Sequence, residues 1–263
     1  MATVLSADAA HLTEAQRQRY QEDGFLVVRG VFSGAEMAMV SMDAERLRER
    51  KDLIDTNNIR CRWQMHVESD ECLFDAFDPV VDLSMMCAEL ARDPRLVTLV
   101  SELYGEPAQL FKDKLIYKPP GARGYDLHQD YIAWDSFPKT FVTAAVAIDP
   151  CSRDNGTTEV FAGYHKAGYL SPADGDYHPL PVESVDESRR VFLELEPGDV
   201  AIFSGYTPHR SGPNRSDGWR RLLYLSYNAV SDGGDARAAH YREFHTWLPI
   251  QYAKYGKHDT YFR

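Results

Sequence analysis

The chain has 263 residues, 44% hydrophobic and 26% charged, a balance that suits a packed core and excludes disorder as the main state. A formal net charge of −11 argues against a nucleic-acid-binding surface and against adherence to anionic membranes. Cys61, Cys72, Cys87 and Cys151 form no C-x-x-C pair, no leader-like segment opens the chain, and no apolar run approaches the roughly 18 residues of a membrane span, so the sequence reads as a cytoplasmic protein with reduced thiols.

In chain order, Thr13 caps a helix over 14–23 that Gly24 ends, and Phe25-Leu26-Val27-Val28 follows as a short buried strand. Ser33 with Glu36 makes a capping box for a second helix, where Met37, Val40, Ala44 and Leu47 recur at helical spacing. Residues 51–80 carry no clear period, and the cluster of Arg60, Arg62, Trp63 and His66 suits either a strand reaching a pocket or a solvated segment. Helices are expected over 80–92 and 94–104, the latter stopped by Gly105 and Pro107. Beyond residue 108, strands are expected at 110–118, 141–148, 157–161, 191–196, 200–203 and 222–228, punctuated by Gly, Pro, Asn and Asp. The Pro-, Gly- and Asp-rich stretch 164–190 is too long for an ordinary connection and is expected to be either a functional lid or locally disordered. A helix over 236–255 packs Tyr241, Phe244, Trp247, Leu248 and Tyr252 outside the sheet. The layout is α+β with a mainly β core: one domain over 1–263, with a helical part about 1–107, a β core about 108–230 and a C-terminal helix about 235–256.

One triplet carries chemistry. In an extended segment His128 and Asp130 project to the same face while Gln129 points away. His209, in Thr207-Pro208-His209-Arg210-Ser211-Gly212-Pro213-Asn214, lies at a strand exit and supplies a third ligand. Two neutral imidazoles and one carboxylate on one side of an ion are the facial triad of non-haem iron(II) oxygenases, with positions left open for cosubstrate and O2. Such iron draws electrons from a cosubstrate, commonly the dicarboxylate 2-oxoglutarate. Arg220 offers the planar fork for its far carboxylate, and Ser211 can add a hydroxyl. Strand alternation allows either Arg220 or Arg221 to point inward, and Arg220 is the choice here.

The chain resembles the phytanoyl-CoA dioxygenase family of Fe(II)- and 2-oxoglutarate-dependent oxygenases. The matching stretches are Gly24 to Phe32, Leu115 to Gly121, His128 and Asp130, Ser152 to Gly156 leading to Gly163-Tyr164-His165-Lys166, Pro197-Gly198-Asp199, and His209 to Asn214 with Arg220. The resemblance implies a double-stranded β-helix, or jelly roll. It implies iron on His128, Asp130 and His209, 2-oxoglutarate on Arg220 and Ser211 with Lys114 nearby, and a G-x-H-K turn at His165 that is structural or near the lid. Asp130 stands where the family's halogenases look to have a small residue, which disfavours halogenation. The implied reaction hydroxylates an unactivated C–H bond of a small polar metabolite, amino-acid-like or aminoalkylphosphonate-like, and releases succinate and CO2. Rival outcomes are desaturation, cyclisation or demethylation with the same cofactors, or a jelly roll that binds without catalysis. Gln129, Tyr131, Trp134, Tyr117 and Arg62 are the candidate pocket-lining residues; oligomeric state is not legible.

Overall fold

The computed structural model describes residues 11–256. Thr13 and Gln16 cap each other reciprocally to start α1 (Glu14–Asp23), and Gly24, in the left-handed region at φ 81°, stops it. After β1 (Phe25–Val28) the Ser33 and Glu36 capping box starts α2 (Gly34–Arg48), which buries Met37, Val40, Ala44 and Leu47. Next come β2 (Cys61–Met65), β3 (Cys72–Phe77), α3 (Met85–Arg92) and α4 (Pro94–Tyr104). Then β4 (Ala108–Ile116), β5 (Tyr125–His128), β6 (Val142–Ala147), β7 (Thr158–Phe161) and β8 (Arg190–Phe192) follow. The chain continues through β9 (Val200–Ser204), β10 (His209–Ser211), β11 (Leu222–Ala229) and α5 (Arg237–Tyr255).

Two antiparallel sheets form, one of seven strands in the order β1-β9-β6-β11-β4-β3-β2 and one of four in the order β5-β10-β7-β8. One face of the large sheet, with Leu115, Leu223, Leu225, Val146 and Ile202, packs with Met37, Val40 and Leu47 of α2 and Leu96 and Leu99 of α4. The other face, with Ile116, Ala145, Ala147, Phe203 and Tyr224, packs against Val160, Leu193 and Leu195. This is the jelly roll expected from the sequence. The inward residues of β6 are Thr143, Ala145 and Ala147, side chains small enough to leave space between the sheets beside β11.

Several elements depart from expectation. Residues 61–77 form a hairpin of β2 and β3 that extends the large sheet, so the expected helical part also carries strands. Its buried Arg62, Gln64 and Asp75 break the apolar alternation by which a strand is recognised. The third helix begins at Met85 rather than 80, because Ser84 caps it and Asp113 holds Val80 and Val81 in a turn through their N–H groups. The strand expected over 191–196 shortens to three residues at the open edge of the small sheet. His209 opens β10 rather than closing β9, and Asp130 lies two residues beyond the end of β5.

Among the described residues no helix is long and apolar enough to cross a membrane. The segment 164–190 makes specific contacts: Trp134 donates its indole N–H to the Gly175 carbonyl at 2.8 Å, and Asp176 accepts from Gln251 and Lys254 of α5.

Candidate metal and cosubstrate site

β10 lies between β5 and β7 in the small sheet, and its register sets His209 directly opposite His128. Their ring centroids are 4.2 Å apart. Asp130 Oδ1 lies 3.9 Å from His128 Nε2 and 3.8 Å from His209 Nε2, and the three ligand atoms fall within 4.8 Å of one another. His128 Nδ1 meets the Asp126 carbonyl at 2.7 Å and His209 Nδ1 the Thr207 carbonyl at 3.0 Å. A carbonyl can only accept, so each Nδ1 carries the hydrogen and each Nε2 presents its lone pair inward. Burial, helped by the neighbouring His209, pushes His128 down to about 3, and burial also lowers His209, so both imidazoles are neutral at pH 7. Burial works to raise Asp130, but Lys114 and the two imidazoles outweigh it and hold its carboxyl below the usual range.

The far oxygen of Asp130 accepts from Thr143 Oγ1 at 3.0 Å, and Thr143 meets Ser226 Oγ at 3.0 Å. Sequence reading missed both hydroxyls; the available signal was a Thr and a Ser at inward positions of apolar strands. Thr143→Val keeps the shape and removes that bond. It is expected to weaken iron binding by about 10–100-fold with the fold retained, as read by competition with a metallochromic chelator.

Beside the triad a small cavity is lined by Lys114, Ile116, Tyr125, His128, Thr158, His209, Ser211 and Tyr224. Arg220 is fully buried, and its Nε and Nη1 have no partner among the described residues. Its guanidinium also meets the Tyr224 hydroxyl, which lies 2.9 Å from Thr158 Oγ1. Arg221 faces the opposite way, forked onto Asp149 at 2.7 Å from both Nε and Nη2. Of the two, Arg220 is the one that points inward. Lys118, at φ 38° and fully buried, donates to Gly156 O at 2.9 Å, to Gly212 O at 2.5 Å and to Ser211 Oγ at 2.8 Å. A Cβ on Gly156 would stand 2.7 Å from that ammonium, so only glycine lets the turn pass. Because Ser211 Oγ accepts from Lys118, its own hydrogen is free to point elsewhere. Tyr125 closes this end by donating its hydroxyl to Asp75. Lys118, Tyr125 and Asp75 were not singled out from sequence, where a lysine before Pro-Pro-Gly looks like an ordinary exposed turn residue.

The other candidates scatter. Tyr117 is fully buried on the helix side of the large sheet with its hydroxyl on the Ala44 carbonyl at 2.8 Å, and does not line the cavity beside the triad. Gln129 spends its amide on backbone, donating to Gly168 and Tyr206 carbonyls and accepting from Leu170 N–H, so it pins the 164–190 segment. Trp134 packs on Trp247 and Phe137. Tyr131 stacks among Phe137, Tyr169 and Tyr206. Arg62 donates to the Ile59 and Cys61 carbonyls and lies 3.8 Å from Asp78. His165 binds the Gln21 carbonyl under Gly24, in keeping with a structural turn. Tyr177, from the long segment, lies edge-on to His128 at 5.7 Å and covers the site.

The donor set fits iron(II): two neutral imidazole nitrogens and one carboxylate oxygen, with no thiolate among them. The unpartnered guanidinium edge of Arg220 and the Ser211 hydroxyl fit a carboxylate at the far end of the cavity. A jelly roll with this convergence belongs to the class of non-haem oxygenases.

The family model for phytanoyl-CoA dioxygenase matches residues 20–222, and the chain belongs to that family of Fe(II)- and 2-oxoglutarate-dependent dioxygenases. It is 28% identical over 235 residues to the 2-aminoethylphosphonate dioxygenase of an uncultured bacterium, covering 85% of this chain and 84% of the relative. It is 29% identical over 246 residues to the methylphosphonate hydroxylase of Gimesia maris, covering 88% and 86%. Among solved structures, the 2-oxoglutarate-dependent epimerase SnoN of nogalamycin biosynthesis superposes with a TM-score of 0.68 at 24% identity, over 82% of this chain and 83% of that one. EctD from S. alaskensis superposes with 0.68 at 22% identity, over 88% and 83%.

Proposed function

We propose that this enzyme hydroxylates an unactivated C–H bond of a small polar metabolite, with a phosphonate-like compound as the leading class. The overall change is R–H + 2-oxoglutarate + O2 → R–OH + succinate + CO2. The observation that carries the reading is the convergence of His128, Asp130 and His209 beside the unsatisfied Arg220. When bound, the metal supplies the redox chemistry that couples 2-oxo-acid decarboxylation to oxidation of the substrate. The chain's own residues do the rest. His128, Asp130 and His209 hold the metal, Arg220 and Ser211 hold the far carboxylate, and Lys114 rests on the Tyr224 ring at 5.1 Å. Tyr177 and the segment it belongs to keep water out. The substrate class draws support from the names of the relatives, two acting on phosphonates and a third, from Stutzerimonas stutzeri, a probable hypophosphite dioxygenase. The free cysteines suit a cytoplasmic setting.

The test is succinate release by the iron-loaded enzyme against a panel of small phosphonates, amino acids and alkyl carboxylates, with the product mass measured. We expect one group to stimulate succinate release at least tenfold over the substrate-free rate and to gain one oxygen atom. A product lighter by two hydrogens would assign desaturation instead.

A further inference from the structure

We propose that a buried cationic pole on the α5 side of the triad, centred on Lys112 with Arg62, Lys114 and His240 around it, receives a compact oxyanion of the substrate, a phosphonate group. The inference rests on the reading of the triad as the oxidising centre and adds the residues that recognise the substrate.

Position comes first. Lys112 pairs in register with Ser226, and Ser226 with Thr143, the residue that holds Asp130. The three side chains therefore form one row on the inner face of the large sheet, and Lys114 begins the next row beside His128 and His209. α5 closes the far end, where Phe244 lies 4.7 Å from Lys112 Nζ and 5.2 Å from the Arg62 guanidinium.

Charge comes second. Lys112 Nζ has a single carboxylate within 4 Å, Asp78 Oδ2 at 3.5 Å, and Arg62 shares that same oxygen at 3.8 Å. The Lys114 ammonium has no ion pair or hydrogen bond among the described residues and rests on the Tyr224 ring. Three cations thus meet two carboxylates, Asp78 and Asp130, and a bound iron(II) and a 2-oxoglutarate dianion cancel each other without removing the excess. An unmatched buried cation costs several kcal/mol, a cost that an arriving anion relieves.

His240 supplies the third observation. It is 1% exposed, and both ring nitrogens lack a partner among the described residues. Phe111, Trp134 and Phe244 surround it, and Lys112 and Asp78 are its charged neighbours. A buried imidazole with no hydrogen bond in an otherwise apolar cage points to an acceptor or donor that arrives with the ligand. A tetrahedral oxyanion presents oxygens in several directions and so can accept from more than one donor at once, here the Lys112 ammonium and the His240 ring.

The experiment uses enzyme loaded anaerobically with Fe(II) and 2-oxoglutarate and follows the visible charge-transfer band of the chelate during titration with methylphosphonate, 2-aminoethylphosphonate or acetate. We expect both phosphonates to perturb the band saturably and acetate to bind at least tenfold more weakly. Lys112→Met should weaken phosphonate binding by about 10–100-fold, and Lys112→Arg should restore most of it. Should Lys112→Met fold poorly, Lys112→Met with Asp78→Asn removes the pair together and should show the same loss. Equal phosphonate affinity in wild type and Lys112→Met, preference for acetate, or a band that no anion perturbs overturns the proposal. Failure of the band to form in wild type is a different result, which overturns the triad reading and this inference with it.

Discussion

Asp130→Ala is expected to abolish iron retention and to cut substrate-dependent succinate release by at least about 1000-fold. The reasoning is geometric and electrostatic. Asp130 supplies the only anionic ligand of the three, its Oδ1 about equidistant from the two imidazole nitrogens, and its charge is what partners a dication amid Lys112 and Lys114. Without it two neutral imidazoles face a metal in a cationic surround. Losing several kcal/mol of metal stabilisation, at about 1.4 kcal/mol per tenfold, gives the stated factor. Asp130→Glu should not restore activity, because the extra methylene breaks the Thr143 hydrogen bond that aims the carboxylate. Metal content after gel filtration, measured beside circular dichroism, checks it. A variant that keeps full iron occupancy and turnover would remove Asp130 from the site.

Arg220→Leu is expected to raise the apparent KM for 2-oxoglutarate by about 100-fold or more while iron binding holds. A carboxylate forked on a buried guanidinium is worth roughly 3 kcal/mol, and the one arginine that lines the cavity, Arg210, is already paired with Glu159 and Glu187. The same substitution should leave the protein without cosubstrate as stable as wild type or more so. Arg220 is buried with two nitrogens unsatisfied, and an apolar leucine ends that desolvation cost, which offsets the volume it leaves empty. The two effects have opposite signs, which separates a ligand-binding role from a structural one. Arg221→Leu should show the reverse pattern, since it breaks the fork onto Asp149 and leaves that carboxylate unpaired. Thermal melts with and without 2-oxoglutarate report both quantities.

The cluster of His128, Asp130 and His209 was legible from the two-residue spacing of His128 and Asp130 and from the place of His209 in a turn-flanked motif, although Asp130 falls just past β5 and the register of β5 with β10 sets the two histidines opposite each other. Alternation likewise separated Arg220 from Arg221. The helix starts at Thr13 and Ser33 were legible from capping pairs that need only four residues of context. What stayed hidden depends on contacts distant in the chain. Lys118 reads as a turn lysine until Gly156, Ser211 and Gly212 close around its ammonium. Gln129 sits inside the motif and suggests substrate contact, yet its amide is used by the backbone of Gly168, Leu170 and Tyr206, distant in the chain. The hairpin of β2 and β3 was obscured because Arg62, Gln64 and Asp75 are polar residues in inward positions, and the significance of Arg62 emerges only once Asp78, Lys112 and Phe244 surround it. A sequence shows which residues are charged, but whether a charge is matched is decided by folding.

The central claim is that His128, Asp130 and His209 hold iron while Arg220 holds 2-oxoglutarate beside it. Anaerobic addition of Fe(II) and then 2-oxoglutarate tests it directly through the visible charge-transfer band of the chelate. The account predicts a saturable band at one iron per chain in wild type, absent from His209→Ala and Asp130→Ala, and shifted to higher 2-oxoglutarate concentration in Arg220→Leu. A band missing from wild type, or one that persists in His209→Ala and Asp130→Ala, would contradict it.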